Sequence, residues 1–355
     1  MVEGVGELSR VRDSLCGAGG RPEASEQAMH ARLECALAGL WFRLGDFTRS
    51  EAHARPALDL AHQAGDAHNA MVVLNTLGLT LWQTARLDEA ASCFEAALAR
   101  ARIESDAATI GTLNSNLAIV ERMRGRVGRS MRLNRQVLKA ARAAGNTYGA
   151  MLATHNLGDL YNLRREWLTA TRHFNEALEL ARATGYTGYV PYFLVNLAEA
   201  SLGRRAFDEC ARHADEALEA ARAQGDQHCE VTALGVAARL ALERGDLDRA
   251  DGLVRLALKG ARTARVESLV RAVVGVYGQL LAARKQRARA AAVFQALVRH
   301  SLVVPAERAE IEARLARLDL NKQEAAAACD AAARTSIDRL ADAIEFAGQP
   351  ATGAA

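Results

Sequence analysis

Proline is scarce in this chain, 5 in 355 residues, and aromatics make up only 5%. Ala, Leu and Arg dominate instead, and all three are good helix formers. Together these point to an all-α protein. No run of 18 apolar residues exists, so no segment is long enough to span a membrane as a helix. Charge of one sign is also missing. The 45 basic side chains are nearly matched by 42 acidic ones, which excludes a strongly basic nucleic-acid footprint. Paired cysteines are absent too. Cys16, Cys35, Cys93, Cys210, Cys229 and Cys329 form no C-x-x-C pair, and their spacing fits neither a zinc site nor a disulfide framework. They read as buried thiols of a reducing, cytoplasmic environment. The N-terminus carries Glu3 and Glu7 and no apolar stretch, unlike a secretory signal.

What the chain does contain is a step of 40 residues. Asn116-Leu117-Ala118, Asn156-Leu157-Gly158 and Asn196-Leu197-Ala198 stand one step apart. From about Ser25 the step continues through seven units. One column runs Leu58, Leu98, Leu138, Leu178, Leu218, Leu258 and Val298. A small column runs Ser50, Ala90, Ser130, Ala170, Cys210, Ala250 and Ala290. A large one runs Phe47, Leu87, Val127, Trp167, Phe207 and Leu247, then fails at Arg287.

Each unit divides the same way. A first helix is expected to end near Gly45, Ala85, Gly125, Arg165, Arg205, Gly245 or Lys285. A second is expected to end near Gly65, Ser105, Gly145, Gly185 or Gly225, where glycine suits the left-handed residue that closes a helix. Arg102, Arg142, Arg182, Arg222 and Arg262 precede those stops, as the helix dipole favours. The small column lets the second helix lie close to the first, and the large column fills the corner. No pair buries its apolar stripe alone, so the expected fold is an α-solenoid of about seven stacked helix-turn-helix repeats.

The motif residues carry a family resemblance. Leu77, Gly78, Ala90, Phe94 and Ala97 have the spacing of the tetratricopeptide-repeat signature, as do Leu157, Gly158, Tyr161, Ala170, Phe174 and Ala177. The chain therefore resembles a tetratricopeptide-repeat protein over roughly residues 27–301, with a 40-residue unit where 34 is usual. That longer unit is similar to those of kinesin light chains, spindle-orientation adaptors and many bacterial regulators. The usual proline near the end of the second helix is missing, and the sixth and seventh units lose the asparagine and much of the Leu-Gly pair.

The flanks read differently. Residues 1–24 form a lead-in in which Val5, Leu8, Val11 and Leu15 are spaced for one short helix. The solenoid occupies 25–304. Residues 305–346 are expected to be capping helices, with Ile311, Leu315 and Leu318 on one face and Ile337, Leu340 and Ile344 on another. Residues 347–355 are expected to be a disordered tail.

No catalytic, phosphate-binding or metal motif is legible, so neither an enzyme nor a cofactor is expected. His53, His173 and His213 share one repeat position, too far apart on stacked helices to ligate one ion. The asparagines are the better lead. An amide beside a buried leucine column belongs at the edge of the concave face, where it can donate and accept at once. One per repeat makes a ladder fit for an extended peptide backbone. The other reading is an asparagine that bonds the neighbouring repeat and fixes register. The resemblance implies the first, since asparagines at this position of kinesin light chains and of bacterial peptide-sensing regulators hold a peptide. Carried over, the role falls on Asn116, Asn156 and Asn196, while the second unit has Thr76 there with Asn75 one step before.

The same face should carry Thr112, Leu152 and Tyr192, then Ile119, Asp159 and Glu199, then Arg122, Asn162 and Leu202. Its acidic centre suits a basic or amide-rich segment and disfavours nucleic acid. The expected function is a protein-interaction scaffold whose groove binds a peptide segment of another protein. The alternative is a peptide- or ligand-sensing regulator that changes compactness and acts through a separate effector.

Overall fold

The computed structural model describes Gly6, Arg10 and residues 24–104, 106–300 and 305–346. These contain helices and no strand. In chain order the first six helices are α1 (Ala24–Arg43), α2 (Phe47–Gln63), α3 (Ala67–Gln83), α4 (Leu87–Ile103), α5 (Ala107–Met123) and α6 (Val127–Ala143). Next come α7 (Thr147–Leu163), α8 (Trp167–Thr184), a 3-10 turn at Thr187–Tyr189, α9 (Val190–Gly203), α10 (Phe207–Gln224), α11 (Gln227–Glu243) and α12 (Leu247–Ala264). The last five are α13 (Glu267–Ala283), α14 (Arg287–Arg299), α15 (Pro305–Ala316), α16 (Lys322–Ala333) and α17 (Ile337–Phe346). The 40-residue unit is thus an antiparallel helix pair, seven times over. The lead-in residues Val5, Leu8, Val11 and Leu15, the stop at Ser105 and the tail 347–355 lie outside the described residues.

The chain divides into two compact units, one ending at Ala153 and the other starting at Thr154, within α7. In the first unit each helix from α1 to α6 packs on the next, and α1 also meets α3. In the second unit α8 to α14 pack in the same sequential way, with the first helices of successive pairs touching, α9 on α11 and α11 on α13. Stacking of that kind buries apolar stripes that a lone helix pair leaves exposed.

The helix stops fall where the sequence places them. Gly45, Gly125 and Gly245 have φ of 76–78°, and Ala85, Arg165, Arg205 and Lys285 hold φ of 60–61° at the equivalent position. A non-glycine side chain there is strained, but the chain closes each helix the same way. At the first stop, for instance, Gly45 N–H donates to Phe42 O and Asp46 N–H to Trp41 O. Helix starts were not foreseen. Asp46, Asp66, Asp106, Asp226 and Asp246 each accept the backbone N–H three residues on, at 2.9–3.0 Å. Asn146 does the same to Gly149 at 2.8 Å. These satisfy donors that every helix start leaves open.

The small column is fully buried from Ser50 to Ala290. Its two serines do not stay unpartnered. Ser50 Oγ donates to Ala38 O at 2.9 Å, and Ser130 Oγ to Ala118 O at 2.6 Å, tying the second helix of a pair to the first. The Leu-Gly pair has a packing reason. A Cβ on Gly78 would stand 2.7 Å from Phe94 Cε1, and one on Gly158 would stand 2.6 Å from Phe174 Cε1. The seventh repeat corrects the expectation that it had lost this device. Gly278 faces Phe294 at 2.6 Å in the same way, with Tyr277 in place of the leucine.

At the C-terminal end of the second unit, Ile311, Leu318, Ala328, Ala332, Ile337, Ala341 and Ile344 join the apolar cluster of α13 and α14. Leu315 and Leu340 pack against its edge. Arg262 of α12 reaches Asp342 at 2.6 Å and Glu345 at 2.7 Å, so the C-terminal arginine of that helix holds α17. The cysteines divide. Cys35, Cys210 and Cys229 are buried, Cys93 is partly buried, and Cys329 is exposed, contrary to the uniform burial expected. No helix among the described residues is long and apolar enough to cross a membrane.

Candidate functional site

The asparagine column lies on the first helices of the repeats. In the first unit, α3 carries Asn75 and α5 carries Asn116, both half-buried. Asn116 Nδ2 donates to Asn75 Oδ1 at 3.0 Å. Thr76, which occupies the ladder position in its repeat, turns its hydroxyl to Val72 O at 3.1 Å instead. Arg122 is half-buried in the last turn of α5.

In the second unit, Asn156, Asp159 and Asn162 project from α7, and Tyr192, Asn196 and Glu199 from α9. Asn196 is 8% exposed. Its Nδ2 lies 2.5 Å from His155 Nε2 and donates to Asp159 Oδ1 at 3.3 Å. The imidazole is 2% exposed. It stacks on Phe193 with centroids 4.8 Å apart and tilts against Tyr192 at 4.7 Å and Phe174 at 5.4 Å. Tyr192 keeps an exposed edge. Asn156 is half-buried, and Asn162 buries an Oδ1 that has no hydrogen-bond partner.

The two asparagine bonds follow one rule. Asn116 bonds Asn75 and Asn196 bonds His155, each pair 41 residues apart. Asn75 and His155 occupy the same repeat position, one step before the ladder column. The amide thus uses its Nδ2 to hold the preceding repeat. The repeat pattern did not single out His155, although a polar residue at a position next to a leucine column was its available signal.

Glu199 is not a free acid of the face. Arg239 of α11 pairs with it at 2.5 Å. The two open onto a cavity of about 260 Å³ bounded by α9, α11, α13 and α15. Val231, Leu269, Val273, Val276 and Ile311 make its apolar floor, and Arg271, Glu307, Glu310 and Arg314 complete its charged rim. Burial, together with the neighbouring positive charges of Arg239 and Arg317, lowers the pKa of the Arg314 guanidinium, and Glu310 opposes the shift. The three histidines of the shared column each settle locally. His53 bonds Glu34 at 2.6 Å, His173 stacks on Tyr161, and His213 lies 3.4 Å from Ser201 Oγ.

Residues 29–103 match the tetratricopeptide-repeat family model. No curated protein matches the chain in sequence. Solved structures match its fold. The apo form of RapI superposes with a TM-score of 0.64 at 11% identity, covering 81% of this chain and 99% of its own. A tetratricopeptide-repeat protein from Parabacteroides merdae gives a TM-score of 0.58 at 16% identity, covering 82% and 99%. A Rap protein complexed with Competence and Sporulation Factor gives 0.57 at 12% identity, covering 96% and 98%. At these identities the likeness is one of fold.

Proposed function

We propose that this chain, a tetratricopeptide-repeat protein, is an interaction scaffold that binds an extended peptide segment of another protein along its asparagine column. The observation that carries the reading is the spare bonding of that column. Asn116 and Asn196 commit Nδ2 to the preceding repeat and keep Oδ1 as an acceptor, and Asn156 is half-buried between them in sequence. Amide oxygens fixed from behind are pre-organised to take backbone N–H groups from an extended chain. Tyr192 offers an exposed aromatic edge one turn before Asn196 on α9, with Asp159 and Asn162 as polar groups of the same unit, and Asn75 and Arg122 are the polar groups of the Asn116 unit. A structural neighbour of this fold was solved with Competence and Sporulation Factor bound, which supports a role of this type.

The test is a peptide-display selection on the full chain, followed by calorimetry on the selected peptides. The variants are Asn116→Ala, Asn156→Ala and Asn196→Ala, each checked for an unchanged helical melt. Affinity falling in all three supports the ladder. Affinity lost only for Asn156→Ala narrows the site to α7. Selected peptides that bind all three as tightly as the parent remove the ladder from the reading.

The second reading is a sensor whose compactness changes with a ligand and which acts through a separate effector. The His155–Asn196 bond favours it, because a ligand that competes for the Asn196 amide would loosen the contact of α9 with α7. Small-angle scattering with and without a selected peptide separates the two. A scaffold keeps its radius of gyration, and a sensor changes it.

A further inference from the structure

Arg271 is the anomaly of the second unit. Its repeat position holds Ala31, Met71, Gly111, Met151, Pro191 and Val231 elsewhere, none of them charged. Arg271 is buried, at 7% exposure, and its Nε has no hydrogen-bond partner. Its ion pair is a long one, 3.8 Å to Glu267, and that carboxylate is held more closely by His300 at 2.8 Å. A buried guanidinium with open donors is costly unless something accepts from it. Arg271 lines the 260 Å³ cavity.

The rim as a whole is balanced. Three guanidiniums and three carboxylates line the cavity. Arg239 is spent on Glu199 and Arg314 on Glu310. That leaves Arg271 and the half-buried Glu307 with bonding to spare, one of each sign. Both line the same cavity. The floor beneath is apolar, from Val231, Leu269, Val273 and Ile311.

We propose that this cavity binds a free apolar α-amino acid, its carboxylate on Arg271, its ammonium on Glu307 and its side chain on the floor. A simple anion would meet the unpaired Glu307, and a simple cation would meet Arg271. A compact zwitterion satisfies both at once, and a rim of zero formal charge asks for a ligand of zero net charge. This site is independent of the asparagine column.

The experiment is isothermal titration calorimetry on the full chain with L-leucine. Comparators are 4-methylpentanoate, which lacks the ammonium, 3-methylbutylamine, which lacks the carboxylate, and glycine, which lacks the apolar body. The variants are Arg271→Met and Glu307→Gln. Methionine already occupies the Arg271 position in two repeats, so R271M is expected to fold, and E307Q changes a partly exposed side chain. Leucine should bind the parent, and each variant should weaken it by about tenfold or more. All three comparators should bind the parent more weakly than leucine, and E307Q should abolish the advantage of leucine over 4-methylpentanoate. No leucine heat up to about 10 mM overturns the proposal. So does equal binding by R271M, or 4-methylpentanoate binding the parent as tightly as leucine.

Discussion

Phe94 lays its ring edge where a side chain on Gly78 would have to stand, with Cε1 2.7 Å from the ideal Cβ position. The ring is fully buried between α3 and α4, so it has no room to withdraw. Gly78→Ala is therefore expected to destabilise by about 1–3 kcal/mol despite the better helix propensity of alanine. Gly252, exposed in α12 with nothing within 4 Å, is the control. Gly252→Ala should stabilise by about 0.5–1 kcal/mol. Urea unfolding of the two variants checks both signs.

Asp66 caps α3, and the backbone N–H of Asn69 is the main reason its carboxyl lies below the usual range, with Arg32 assisting against burial. Asp66→Ala should cost about 1 kcal/mol at neutral pH. The sign with pH follows from the lowered value. The contribution is complete above the unfolded-state pKa of about 4 and disappears as pH falls through the lower folded value. The urea midpoints of parent and variant should therefore converge in acid.

His213 has its pKa lowered, first by burial and then by the nearby charge of Arg212, while Glu216 and Glu209 pull the other way. A depressed histidine pKa means that the unfolded chain binds the proton more readily. Its stabilising effect is complete above about pH 6.5 and is lost as pH drops toward the folded value. His213→Gln should flatten that part of the stability profile, as measured by urea midpoints from pH 8 down to about pH 5.

Cys329 is exposed, with Arg299 Nη2 3.0 Å from its sulfur. Burial pushes Cys35 and Cys210 up to about 11 and Cys229 up to about 12. A thiol reagent at pH 8 should therefore label Cys329 before Cys35, Cys210 and Cys229 and leave those three unmodified until the chain unfolds. Peptide mapping after brief alkylation reads the order. Rapid labelling of Cys229 would mean that the α11 start opens in the native state.

Much of the fold was legible because it repeats. The small column from Ser50 to Ala290 and the stops from Gly45 to Lys285 recur at one step, so seven copies reinforce each signal. Even the non-glycine stops Ala85, Arg165, Arg205 and Lys285 were placed by register alone, although their residue types argue against a left-handed backbone. The aspartate caps escaped notice because they fall at two different places in the unit, Asp46 and Asp246 before second helices, Asp66, Asp106 and Asp226 before first ones.

The site was legible only as a column. Sequence placed Asn116, Asn156 and Asn196 on one face but left open whether they bond a ligand or a neighbour. Their Nδ2 partners, Asn75 and His155, are chosen by which side chain stands across the gap between adjacent repeats, about a helix diameter away. Glu199 looked like a free acid until Arg239 of the next repeat was brought to it.

The sequence by itself determined the period, the helix-pair unit and the close approach of its two helices, because those follow from backbone stops and side-chain volume within about 40 residues. Only the tertiary structure decided which polar groups are spent and which are open. Asn196 is bound to His155, Glu199 to Arg239, and Arg271 is buried beside a cavity in a column where the other repeats place uncharged residues. The reason is physical. Packing is set by what every repeat shares, whereas a hydrogen bond is set by the one partner that a particular neighbour supplies.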